Sequence, residues 1–174
     1  MMTHLKARTA VAAATAVMAG GAMVAAAPAA TASPTPPPNT QSLYVSGDMA
    51  IAPGVHLLNI KAMGMRTANG TTSGRYVATV LDGRNPTPIQ VRGPITCLYT
   101  NGDTASLIYP ITGTTPDVLP ADLRGAAAVQ ITVRKGSSSN RVGVMGPMPT
   151  SSFQGCKPGM TPFGFDGVVS INHR

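Results

Sequence analysis

The chain has 174 residues and a formal net charge of +7, with six acidic residues, all aspartate, and no tryptophan. Helical proteins normally cover their surface helices with Glu, Lys, Leu and Ala, whereas this chain, after its first 32 residues, is rich in Thr, Ser, Gly, Pro and Val, which favour strands and turns. The composition therefore excludes a mainly helical protein, and the length is sufficient for one hydrophobic core.

The first 32 residues have the layout of a secretory signal peptide. A basic stretch ends at Arg8, an apolar run covers Val11–Ala27, and Ala30-Thr31-Ala32 offers the small residues that precede a cleavage site. A membrane anchor is the alternative, because the apolar run is about long enough to span a bilayer, but its alanine-rich composition and its Gly-Gly interruption favour cleavage. We therefore predict a secreted, extracellular protein exported through a Sec-type signal peptide spanning residues 1–32.

Two further segments follow the signal peptide. Residues 33–41 read SPTPPPNTQ, and four prolines in nine residues predict an extended, disordered leader. Residues 42–174 contain no second linker, no internal repeat and no apolar run long enough to cross a membrane. We therefore expect one folded domain, with a net charge of +5 once Lys6 and Arg8 are removed.

Strand patterns recur at short spacing along this domain. A first strand at Leu43–Val45 is followed by a predicted turn at Ser46-Gly47-Asp48. Further apolar or alternating runs lie at residues 55–61, 75–81, 89–92, 96–100, 103–111, 127–134, 141–145 and 167–172. Asn101-Gly102 predicts a hairpin, because both residues tolerate the positive φ angles of a tight turn. The runs at 127–134 and 141–145 are expected to pair with each other.

These patterns predict an all-β fold, a single antiparallel β-sandwich or barrel of about eight or nine short strands with one disulfide. The single helical candidate, Pro120–Ala127, is short enough to be one turn between strands. Gly146–Gly164 is rich in proline and glycine and is expected to be irregular.

Cys97 and Cys156 are the only cysteines, and they lie 59 residues apart. In an exported protein an isolated pair is expected to form a disulfide. A redox-active pair would need a close C-x-x-C spacing beside a helix N-terminus, which this sequence lacks. A bridge closing a loop of this length contributes on the order of 4 kcal/mol on the chain-entropy model. It would tie the irregular segment to the strand before the Asn-Gly hairpin.

The residues around Cys97 also form a recognisable pattern. Gly93-Pro94-Ile95-Thr96-Cys97-Leu98 is followed by Asn101-Gly102 and Thr104-Ala105, and Cys156 precedes the terminal strand. This arrangement resembles a group of small exported actinobacterial proteins of unknown function, which carry G-x-[VI]-T-C-L, a hairpin and a second Cys before the last strand. The resemblance covers residues 92–173 and implies the fold and the disulfide, but no reaction. The acidic turn of those proteins corresponds here to Arg134-Lys135-Gly136-Ser137, a basic turn.

The predicted mature chain offers little for catalysis. Its two histidines are His56 and His173, and Asp82, Asp103 and Asp166 each lie beside a glycine in or near a turn. There is no G-x-S-x-G elbow for a nucleophilic serine and no evident pair of facing carboxylates. We therefore expect no enzyme, no catalytic residue and no cofactor, and we retain a secreted hydrolase of unrecognised type as an alternative.

A second alternative is an exported Cu(I)-binding protein. Met63 and Met65 form one close pair of thioethers, and Met145 and Met148 form another. Soft sulfur ligands suit Cu(I). The competing interpretation is that these methionines fill gaps in the core, and neither pair has adjacent histidines, so we predict no metal site.

The basic residues are scattered, apart from Arg134, Lys135 and Arg141 across one predicted turn. Aromatic residues are not interleaved with them, so no nucleic acid is expected as a partner. Outside the cell, anionic cell-envelope polymers or lipid headgroups are the natural partners of a basic protein. The leading hypothesis is therefore a secreted, non-enzymatic β-domain that binds anionic envelope components.

Overall fold

The computed structural model describes residues 40–173. The predicted signal peptide and most of the predicted leader therefore lie outside the described residues. The described chain forms ten strands, β1 (Gln41–Ala52), β2 (Val55–Arg66), β3 (Thr72–Asp82), β4 (Asn85–Pro94), β5 (Cys97–Asn101), β6 (Thr104–Pro110), β7 (Gly113–Thr115), β8 (Ala127–Arg134), β9 (Asn140–Pro149) and β10 (Phe163–His173). A single 3₁₀ turn, Ala121–Leu123, lies between β7 and β8, and a second one, Thr150–Ser152, lies between β9 and β10.

All ten strands belong to one antiparallel sheet in the order β5-β6-β8-β9-β10-β1-β2-β3-β4-β7. The sheet folds over, so that β5 packs against β1, β2, β3 and β10. The end strands β5 and β7 do not pair with each other, so the sheet is open, with one main hydrophobic core between its two halves. The predicted all-β antiparallel fold is confirmed. The described residues contain no helix with the length and hydropathy of a membrane span.

The predicted turn at Ser46-Gly47-Asp48 is wrong, because β1 runs through it without interruption. Gly47 instead pairs with Gly167 on β10 and with Ile60 on β2. A Cβ atom on Gly47 would meet the carbonyl oxygen of Asp166 and lie 2.6 Å from the Cα of Gly167. This glycine therefore marks a close approach of two strands, which a strand glycine can signal as well as a turn can.

The other predicted elements are present, most of them longer than the patterns indicated. The hairpin between β5 and β6 is confirmed, but Asn101 pairs with Thr104, so the two loop residues are Gly102 and Asp103. β8 and β9 pair as expected. The helical candidate is a single 3₁₀ turn, and the segment predicted to be irregular is irregular only after Ser152, because β9 extends to Pro149.

The disulfide between Cys97 and Cys156 is confirmed. Cys97 begins β5, and Cys156 lies buried in the connection between β9 and β10, where it packs against Ile108 and Ala128. The same connection is held by the side chain of Gln130, whose Nε2 donates to the carbonyl oxygen of Lys157. The bridge and this hydrogen bond together fix a segment that contributes few apolar residues to the main core.

Two tyrosines stack inside the core. The rings of Tyr76 and Tyr109 have centroids 3.8 Å apart and an interplanar angle of 17°. Burial raises the pKa of Tyr109 to about 12 and raises the pKa of Tyr76 well above its usual 10.0. Both hydroxyls therefore remain protonated in the folded protein at pH values where an unfolded chain would ionise them.

We expect Gly47→Ala to lower the free energy of unfolding by about 1–3 kcal/mol, because the new Cβ atom collides with backbone that cannot move aside cheaply. Urea unfolding followed by circular dichroism measures this change. Gly159→Ala is the matched control, since its nearest atom is the hydroxyl of Thr132 at 3.7 Å. Equal stability of the two variants would contradict the close approach of β1 and β10.

We expect stability to be lost at high pH through the tyrosine pair. Both folded pKa values are raised, so the contribution of the pair is fully present below about pH 10, and that of Tyr109 is lost as the pH rises through about 12. The measurement is the alkaline unfolding midpoint, monitored together with tyrosinate absorbance. Tyr109→Phe should move the midpoint to higher pH, whereas Tyr44→Phe, on an exposed ring, should leave it unchanged.

Candidate ligand-binding groove

Strands β1, β2 and β3 bury mainly one face each. Alternate residues point into the core, among them Leu43, Val45, Ile60, Ala62, Tyr76 and Ala78. Because side chains alternate along a strand, the intervening residues point outward. The exposed outward-facing residues include Tyr44, Lys61, Met63, Met65 and Arg75.

The strand register lines these residues up across the sheet. Tyr44 on β1 is opposite Met63 on β2, which is opposite Arg75 on β3. One row further along, Ser46, Lys61 and Val77 are aligned in the same way, and Ser42, Met65 and Ser73 form the row on the other side.

Two adjoining cavities lie over these rows. One, of about 620 Å³, is lined on β1, β2, β3 and β10 by residues that include Met65, Ser170 and Asn172. The other, of about 350 Å³, is lined by residues that include Lys61 and Val77. Tyr44, Met63 and Arg75 line both cavities. We call the combined depression, from Lys61 to Asn172, the outer groove.

The charged side chains that line the outer groove are both cations. Its cations are Lys61 and Arg75, and no carboxylate of the described chain forms an ion pair with either. On the same outward face of β4, Arg92 donates from Nη1 to the hydroxyl of Thr115 at 2.9 Å. The carboxylate of Asp48, beyond the Lys61 row, accepts a 2.6 Å hydrogen bond from Nδ2 of Asn59. The groove therefore presents two cations without an ion-pair partner beside an apolar floor.

The methionines proposed for Cu(I) are not brought together. Met63 and Met65 line the outer groove, whereas Met145 lines a separate cavity of about 210 Å³ together with Met160. Met148 lines neither the outer groove nor this separate cavity. The alternative role as core filling is also wrong for Met63, Met65 and Met145, whose side chains are exposed. Within residues 40–173 there is also no cluster of three or more His, Cys, Asp or Glu side chains that could hold a metal.

A second polar site surrounds His56. This side chain is only 4% exposed, and its Nε2 lies 3.7 Å from Oδ2 of Asp166, which also lies 3.6 Å from Nη2 of Arg84. The Nδ1 atom of His56 is buried without a hydrogen-bond partner. The adjoining cavity of about 360 Å³ is lined by no hydroxyl or thiol side chain.

Sequence reasoning missed this contact for an identifiable reason. A β-bulge around Ala50 shifts the register so that His56, rather than Leu57, is opposite Ala50. Ala50 is also paired with Gly164 on β10, so only the small residue Ala50 lies between His56 and the strand that carries Asp166. No residue pattern within β2 signals such a bulge.

The basic cluster singled out at the β8–β9 turn is partly used by the fold. Arg134 and Arg141 are directly opposite each other. The guanidinium of Arg141 donates to the backbone carbonyl oxygens of Thr161 and Pro162. Arg141 therefore anchors the connection that leads into β10, and the outer groove is the stronger candidate for binding an anion.

Comparison of this chain with protein-family models, with curated proteins and with solved structures gives no match. The residues of the outer groove are therefore the basis on which a function is inferred.

Proposed function

We propose that this protein is a secreted, non-enzymatic binding module whose outer groove takes anionic lipids of the cell envelope. The observation that carries the proposal is the pair Lys61 and Arg75, neither of which forms an ion pair, beside a cleft floored by Met63 and Met65. A ligand with one anionic end and one apolar end satisfies both halves of the groove.

The cation pair explains the preference for an anionic headgroup. Arg75, on β3, lines both cavities. Lys61 lies on the neighbouring strand β2, opposite Val77 and therefore one row further along the sheet. An arginine fork can contact two oxygens of a phosphate or carboxylate at once, and the nearby ammonium adds a third donor. A charge-assisted hydrogen bond of this kind contributes about 1.5–3 kcal/mol.

The apolar walls favour a lipid over a charged polymer. The cavity of about 620 Å³ lies within the usual range for a small-molecule site. Methionine side chains are flexible and polarisable, and they adapt to acyl chains of different shape. A polysaccharide or polyphosphate would leave Met63 and Met65 without a use, and it would contact only one aromatic ring, Tyr44.

Secretion is part of the same proposal and has its own support. The Cys97–Cys156 disulfide is typical of an oxidising compartment. Residues 1–32 have the charge and hydropathy pattern of a signal peptide. The G-x-[VI]-T-C-L motif around Cys97 supports a place among small exported actinobacterial proteins.

The proposal predicts which charges matter for binding. We expect Lys61→Gln and Arg75→Gln each to weaken binding of a soluble alkyl phosphate about tenfold, because each removes one charge-assisted contact. Isothermal titration calorimetry on the oxidised protein measures this, below the critical micelle concentration of the alkyl phosphate. Lys157→Gln and Arg134→Gln are matched controls, since both residues are exposed and lie outside the groove. Equal losses in all four variants would contradict a specific headgroup site.

The proposal also predicts a dependence on chain length. Each methylene added to the alkyl phosphate should improve affinity about fourfold until the cleft is filled, because burying one methylene contributes about 0.8 kcal/mol. Calorimetry on a series of alkyl phosphates measures the slope. Inorganic phosphate tests the headgroup alone, and an uncharged alkyl glycoside tests the chain alone. If affinity is independent of chain length, the ligand is an anionic polymer rather than a lipid.

A further inference from the structure

Strand β10 has one fully paired edge and one largely free edge. It pairs with β1 from Gly164 to His173, but with β9 only from Phe163 to Phe165. Within residues 40–173, no strand pairs with the second edge of β10 beyond Phe165. A run of eight residues, 166–173, therefore borders the sheet on one side only.

The direction of the free backbone groups follows from one hydrogen bond. Nδ2 of Asn140, on β9, donates to the carbonyl oxygen of Gly167 at 2.9 Å. The N–H and C=O groups of one residue in an antiparallel strand point to the same side, and they alternate along the chain. Val169, Ile171 and His173 therefore direct their N–H and C=O groups to the free edge, whereas Ser170 directs its own groups to β1.

This edge lacks the features that usually prevent strands from pairing with other molecules. Natural proteins protect edges with proline, lysine, bulges or short strands. β4 has Pro86 and Pro88 in the part that extends beyond β7, β7 has three residues, and β5 has five. From Gly167 to Asn172, by contrast, β10 contains no proline and no charged residue, and its pairing with β1 contains no bulge.

We propose that the free edge of β10 pairs with the same edge of a second copy of this chain. An antiparallel edge is complementary to itself around a twofold axis. A twofold axis perpendicular to the sheet leaves the outward faces of both copies on the same side. The two outer grooves would then lie on one face of a continuous sheet.

Charge does not oppose this pairing. Lys61 lies on β2, two strands from the free edge, so the β2 strands of the two copies would be separated by five strand spacings, or about 24 Å. This exceeds the Debye length of about 8 Å at physiological ionic strength. A shared edge alone buries less than the roughly 1,200 Å² of a standard interface, so we expect a weak dimer that forms reversibly with increasing concentration.

Sedimentation velocity of the full chain over a wide concentration range tests the dimer. We expect Val168→Lys to raise the dissociation constant about tenfold, because it places one charge at the edge of each copy near the twofold axis. Val168 is 59% exposed and lines neither cavity of the outer groove. Val118→Lys is the matched control, because Val118 is 74% exposed and lies outside β10. A wild-type chain that remains monomeric at the highest concentration would overturn the proposal.

Hydrogen exchange on the wild-type chain gives a readout that does not depend on any variant. The amides of Val169 and Ile171 should become protected only as the concentration rises, whereas the amide of Ser170, bonded to β1, should be protected throughout. A dimer that forms without this change would use another surface and would overturn the proposal. Neither outcome bears on lipid binding, so this inference and the proposed function can fail separately.

Discussion

The pairing of β1 with β10 is the interaction on which the rest of the structure depends. These strands lie near opposite ends of the described chain, yet they are neighbours near the centre of the sheet. The pairing requires glycine at positions 47 and 167, because the backbones of Gly47 and Gly167 approach too closely for a Cβ atom on either residue. The end of the outer groove at Ser170 and Asn172 exists only because β10 lies beside β1. The same pairing leaves the other edge of β10 free.

Burial on one side of the sheet accounts for the character of the groove. The core takes one face of β1, β2 and β3, so alternate residues of these strands face outward. On most exposed strand faces these positions would be small or polar, but here Met63, Met65 and Tyr44 lie among Lys61 and Arg75. A continuous patch of exposed apolar side chains marks an interaction site or a liability to aggregation. The proposed ligand, with both apolar and anionic parts, would contact both kinds of side chain.

Prediction from the sequence succeeded where the information was local. The runs at 127–134 and 167–172 identified strands, and the Asn-Gly pair identified a hairpin, because turn geometry and alternation are encoded within a few residues. Gly47 was misjudged because glycine serves both turns and close strand contacts. The approach of His56 to Asp166 was missed because it depends on a bulge at Ala50 and on a partner strand more than 100 residues away.

The sequence by itself determined the all-β class, the strand periodicity, the Cys97–Cys156 bridge and the excess of basic residues. Each of these follows from composition or from short-range pattern. Only the tertiary structure decided which outward-facing residues share a surface, because this depends on the order and register of strands that are distant along the chain. Lys61, Arg75, Met63 and Tyr44 come from three strands, and no spacing within one segment relates them. The outer groove and the free edge of β10 are therefore properties of the strand order.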